Sequence, residues 1–231
     1  FVINHFQLDN LAADLAERAG AKILLNSNIS GSEINRLKTE FEKVIGCDGA
    51  NSIVRKSLNL PEPKMQSGLQ GFVQKEDFSN YVETWPTQTG FIWKIPRGEE
   101  TEWGIMENPK GAKLLFEKFL KENDVKLEKI KSALVPQGLI ISKNPRITLC
   151  GDAAGLTKPW SGGGVIWGLI GADLLLKNFP DFIKYGKKTK RYFSSKIVLG
   201  KLAKKGVYFL SFNLPWLLPK NYLIESDFLL K

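Results

Sequence analysis

The chain has 231 residues, enough for one large or two modest domains with a real core. Hydrophobic residues make up 43% and charged residues 25%, ordinary values for a folded globular protein, so disordered and collagen-like classes are excluded. The net charge of +9 is carried by one segment: from 182 to 224 there are ten Lys or Arg and no Asp or Glu, a block that seeks anions.

Leu8, Leu11, Ala12, Leu15 and Ala16 fall at helical spacing, and Gly20 stops that helix. Residues 21–25 then read as a strand, which would need another strand before it to complete a parallel crossover. A second strand is expected over 40–46, running into Cys47-Asp48-Gly49-Ala50-Asn51-Ser52-Ile53-Val54-Arg55. Asp-Gly is a common turn, and Asn51 or Ser52 a common helix N-cap. After a proline-bearing connector at 60–67, short β-rich runs at 69–73, 81–85, 91–95 and 101–106 suggest an antiparallel sheet. A helix is expected over 110–122, with Leu114, Leu115, Phe119 and Leu120 as its apolar face, then a weaker element at 126–134 and a strand at 139–142.

Next comes a strand-length run, 147–150, followed by Gly151-Asp152-Ala153-Ala154-Gly155, Pro159, Gly162-Gly163-Gly164 and an apolar helical pattern over 165–176. Strand, glycine-lined loop and helix place a helix N-terminus beside backbone that a ligand can approach closely. Asp152 offers a carboxylate to a polyol or ribose hydroxyl, and the positive end of the helix favours an electron-rich ring such as a reduced flavin. A ligand-free glycine turn is the plainer reading of a bare Gly-Asp. Helical, basic and aromatic stretches follow at 182–200 and 201–212. The most apolar run, 206–218, is broken by Asn213 and Pro215 and is too short to cross a bilayer; it could instead lie on an anionic surface or cover the core. Two cysteines, Cys47 and Cys150, match no metal spacing and no disulfide framework; packing is their expected role, in a reducing cytoplasm.

GDAAGLTKPWSGGG resembles the second flavin motif of the FAD-dependent geranylgeranyl reductase family, within the wider group of aromatic hydroxylases and flavin halogenases. DGANSIVR resembles the DG motif of the same group, and Gly90-Phe91-Ile92-Trp93-Lys94-Ile95-Pro96 resembles the aromatic strand of the reductases' substrate domain, with Phe91 in place of Tyr and Ile95 in place of Phe. Hydroxylases typically carry His where Gly155 stands, which favours the reductase branch. The resemblance implies an α/β fold, α+β in its substrate part: an incomplete Rossmann-like FAD-binding domain (1–60 and 139–180), an inserted antiparallel-sheet domain (61–138) and a helical, basic C-terminal region (181–231). It implies FAD held by Asp48, Gly49, Arg55, Gly151, Asp152, Ala153, Pro159, Gly162, Gly163 and Gly164. Asp152 takes the ribitol, Asp48 and Gly49 lie near the pyrophosphate, and Arg55 projects from a short helix. Phe91, Trp93 and Trp160 would line an apolar substrate pocket, with plain core the commoner role for any single one of Phe91, Trp93 and Trp103. No metal is expected and no catalytic residue is assigned; His5 lies far from either motif.

The GxGxxG turn that holds the ADP half of FAD is not in this sequence, and N-terminal truncation is the expected reason. The activity implied is reduction of isoprenoid C=C bonds, with a ferredoxin-like or NAD(P)H electron donor and a basic C-terminus suited to an anionic lipid or membrane surface, in the cytoplasm or at the membrane periphery. A flavin monooxygenase or halogenase and a non-catalytic lipid-binding relic are the alternatives. No motif supports nucleic-acid binding.

Overall fold

The computed structural model describes residues 5–218. Two sheets organise them. Strands β1 (Val44–Gly46) and β7 (Ile147–Leu149) pair in parallel, Val44 opposite Ile147 and Gly46 opposite Leu149. Strands β2 (Lys64–Val73), β3 (Glu83–Pro86), β4 (Phe91–Pro96), β5 (Thr101–Glu107) and β6 (Glu128–Gln137) form an antiparallel sheet in the order β3-β4-β5-β2-β6. Around them lie helices α1 (His5–Arg18), α2 (Gly31–Glu40), α3 (Ile53–Ser57), α4 (Ala112–Glu122), α5 (Val165–Asn178) and α6 (Phe182–Asn213).

Gly20, at φ 92°, ends the first helical segment as its sequence suggests. Residues 21–25 do not form a strand: among the described residues no partner lies beside them, and Leu24 and Leu25 are exposed. The strand expected over 40–46 shrinks to β1, because 31–40 is helical. Its start is fixed by Glu33, whose carboxylate accepts the Ser30 N–H at 2.7 Å, half of a Ser-x-x-Glu capping box. The element at 126–134 is an edge strand, β6, whose lysines keep that edge wet. Residues 139–142 make no strand; Gly138 and Ile140 instead donate to the carbonyls of Gly155 and Ala154. The two basic stretches at 182–200 and 201–212 are one continuous helix, α6.

The main core lies between the small parallel sheet and α5 and α6, with Ile34, Ile147, Leu149, Trp167 and Phe193 buried together. Alternation sorts the antiparallel sheet into two faces. Ile92 and Ile105 face α4, packed with Phe116 and Leu120 and with the stacked pair Trp85 and Trp103. Phe91, Trp93, Gly104 and Met106 share the opposite face. There Trp93 lies over Gly104, where a Cβ would come within 2.1 Å of the indole ring.

Candidate functional site

Both motifs leave the C-terminal ends of the parallel strands. At the end of β1 the Asp48 carboxylate is fully engaged: it accepts the Ser52 hydroxyl at 2.6 Å and the Ile53 and Val54 N–H groups at 2.6 and 3.1 Å. It thereby satisfies the free N–H groups at the start of α3, and Ser52 does the same for the Arg55 N–H. Arg55 does not project. Its side chain has no exposure; Nη1 donates to the Ala153 carbonyl at 3.0 Å, and Nη2 to Ala50 at 2.6 Å and Glu62 at 2.5 Å. Asp48 and Arg55 thus frame the site: the first shapes the loop, the second ties it to the GDAAG turn. Ala153, itself fully buried, is the other end of that tie.

At the end of β7 the chain enters a single 3₁₀ turn, Gly151–Ala154. Gly151 and Gly155 take φ 60° and 73°, left-handed values that a side chain resists. Gly155 also packs against Pro63 and the Gly138 backbone, so a histidine there would be both strained and crowded. Asp152 is partly buried, and burial pushes its carboxyl above the ordinary aspartate value. No hydrogen-bond donor among the described residues reaches that carboxylate; desolvation alone sets its state. Its Oδ1 rests on Gly164, where a Cβ would stand only 2.8 Å away.

The remaining expected site residues separate. Gly49 and Gly151 have open space where a side chain would be, so bare backbone is presented there. Gly163 is nearly as open. Gly162 is not: Met106 and Val135 of the antiparallel sheet fill the space in front of it, and its role is to let the loop approach that sheet. Pro159 is buried against Gly200 of α6, and Trp160 is wedged between Gly200 and Trp167, edge to face at 5.9 Å, which places both in the core and not in a pocket. Phe91 and Trp93 lie on the sheet face shared with Met106, the face turned to the glycine loop, and Trp93 Nε1 donates to Glu102 at 3.0 Å. Gln137, unremarkable in the sequence, fastens that loop by donating to the Lys158 and Pro159 carbonyls at 3.4 and 3.3 Å. Two hollows lie elsewhere: about 770 Å³ between α4 and Thr87–Thr89, and about 370 Å³ between residues 138–141 and α6. Neither is lined by Asp48 or Asp152; the Asp152 face is an open shelf.

The fold recurs in solved structures. A geranylgeranyl bacteriochlorophyll reductase-like protein of Thermoplasma acidophilum superposes with a TM-score of 0.58 at 21% identity, over 71% of this chain and 50% of that one. The chain has a geranylgeranyl-reductase-like fold. The same fold carries a tryptophan halogenase of Shewanella frigidimarina, at TM-score 0.55 and 16% identity over 70% of this chain and 36% of that one. By sequence, an uncharacterized protein of Methanosarcina barkeri is 29% identical over 79% of this chain and 54% of its own length. A digeranylgeranylglycerophospholipid reductase of Methanococcus vannielii is 24% identical over 77% and 55%. The chain spans about half the length of the curated relatives it matches. No family model matches it.

Proposed function

We propose that the chain is part of an FAD-dependent oxidoreductase that reduces isoprenoid C=C bonds, acting on geranylgeranylated lipid at the cytoplasmic surface of a membrane. The observation that carries this reading is Asp152: a partly buried carboxylate with no donor of its own, beside backbone left bare at Gly49 and Gly151. Such a group is stabilised by a hydroxyl-bearing ligand that supplies the missing hydrogen bonds, and the FAD ribitol fits that need. Asp152 would hold the ribitol, and Gly49 and Gly151 would let the cofactor lie against main chain. When bound, reduced FAD supplies the hydride for the alkene. The protein's share is orientation and exclusion of water: Phe91 and Trp93, on the sheet face turned to the glycine loop, would give a prenyl chain an apolar lining. The reductase named among the sequence relatives supports this substrate class.

The test is anaerobic. Full-length protein is expected to purify yellow, and its dithionite-reduced flavin is expected to be reoxidised by a geranylgeranylated glycerolipid, with a saturated product seen by mass spectrometry. Electrons in the cell would come from a ferredoxin-like protein or NAD(P)H. Halogenases share the fold, so a second reading is oxygen chemistry; reoxidation that needs O₂ and a halide, with the lipid unchanged, would establish it. Colourless protein would sink both.

The same proposal places the second half of α6 on anionic lipid. Among the described residues no helix is long and apolar enough to cross a membrane. Beyond Gly200, however, Leu202, Phe209 and Phe212 are exposed beside Lys201 and Lys205. A helix face that interleaves exposed apolar side chains with lysines binds anionic interfaces, each lysine adding about 1 kcal/mol near the surface. Co-sedimentation with phosphatidylglycerol vesicles, weakened by salt and lost with neutral vesicles, is the expected result. Equal binding to neutral vesicles would remove the electrostatic part.

A further inference from the structure

Cys47 and Cys150 take no part in the contacts described above. They follow Gly46 and Leu149, which face each other at the end of the β1–β7 pair, and the Cys150 N–H extends the ladder by donating to the Gly46 carbonyl at 2.9 Å. Matching positions on adjacent strands lie about 4.8 Å apart at Cα, inside the range a disulfide needs. Their side chains leave the sheet on the same side, at matching positions of the two paired strands. The two differ in access. Cys47 is exposed, whereas Cys150 keeps 5% of its surface.

We propose that these residues form a thiol–disulfide exchange pair, in which exposed Cys47 takes up a small external disulfide and buried Cys150 resolves it into an intramolecular Cys47–Cys150 bond. The Cys47 thiol, its pKa pushed up by the neighbouring Cys150 and by burial, gives its proton to solvent and attacks one sulfur of the external disulfide, releasing a thiolate. Cys150, as thiolate, then attacks Cys47 Sγ and expels the second thiolate. The protein gives up two electrons and two protons, and the external disulfide is reduced to two thiols.

The surroundings suit the resolving step. The neighbouring Cys47 thiol holds the Cys150 pKa down at about 7 against burial. The external reagent meets Cys47 first, because only that sulfur is accessible, and the mixed disulfide so formed already touches its resolving partner. The bond would cross-link the stems of the two motif loops, immediately ahead of Asp48 and Gly151. The proposal rests on β1 and β7 alone and stands whether or not a flavin binds.

The test uses oxidised glutathione on the reduced full chain at neutral pH. Wild-type protein is expected to lose the mass of two hydrogens, to retain no glutathione, and to give a dithiothreitol-sensitive peptide linking Cys47 to Cys150. Cys150→Ser should hold one glutathione on Cys47, and Cys47→Ser should stay unmodified over the same period. Wild-type protein that keeps glutathione on Cys47, that leaves both thiols open to alkylation, or whose disulfide joins two chains would overturn the proposal. Peptide mapping of the wild type decides the matter even if Cys150→Ser fails to fold.

Discussion

Arg55→Met is expected to lower the unfolding free energy by about 3 kcal/mol, read as a drop in the denaturant midpoint with an unchanged slope. Methionine nearly fills the volume, so packing loss is small. What disappears is the guanidinium that satisfies the Ala153 and Ala50 carbonyls from a side chain with no exposure. Hydrogen bonds to a charged donor contribute roughly 1.5–3 kcal/mol each, and the buried Ala153 carbonyl and the partly buried Ala50 carbonyl would lose this donor. The ion pair with Glu62 adds little, because Glu62 is 49% exposed and water screens it. Glu62→Gln should therefore cost under about 1 kcal/mol. Arg55→Lys keeps the charge yet cannot span both carbonyls, and should fall between the two variants. A loss below about 1 kcal/mol for Arg55→Met would mean that the link between the motifs is not made.

That link marks the boundary of what the sequence discloses. The antiparallel sheet was legible because its strands alternate and end at turn residues such as Gln88-Thr89-Gly90, and β4 and β5 lie within a residue or so of the runs expected. The glycine-flanked Asp152 was legible because left-handed backbone demands glycine, and Gly151 and Gly155 take it up. Three features were not. Helix α2 was missed although Ser30 and Glu33 carry its start signal, since only Ile34 and Leu37 mark its apolar face over a short span. Arg55 looked like a projecting cation because burial of a guanidinium depends on a carbonyl 98 positions away. Gly162 looked like cofactor shelf because nothing local reveals that Met106 and Val135 will fill its side-chain space. For Arg55 and Gly162 the deciding contact is long-range, and a local pattern carries no record of it.

Asp152 is the position where stability and binding should part company. Burial raises its carboxyl pKa, so the folded state binds the proton more tightly than the unfolded chain does. For such a group, stability is greatest below the unfolded value and falls as pH rises through the folded one, leaving a net cost at pH 7. Asp152→Asn removes the charge and keeps the shape. Its ligand-free form is therefore expected to be at least as stable as wild type at pH 7, with the advantage vanishing below about pH 4 as the aspartate itself becomes neutral. Flavin retention should move the other way. A charge-assisted hydrogen bond is worth roughly 1.5–3 kcal/mol, so losing it weakens binding by about 10- to 100-fold, with Asp152→Ala at the upper end. Fluorescence titration of FAD on both variants, beside thermal melts of the ligand-free forms, separates the two effects. A structural carboxylate would lose stability on substitution and leave affinity alone, as Asp48, whose oxygens are already taken by Ser52, Ile53 and Val54, is expected to lose stability. If Asp152→Asn binds FAD as wild type does, the carboxylate is not the cofactor's anchor, and the assignment of this shelf to a flavin falls with it.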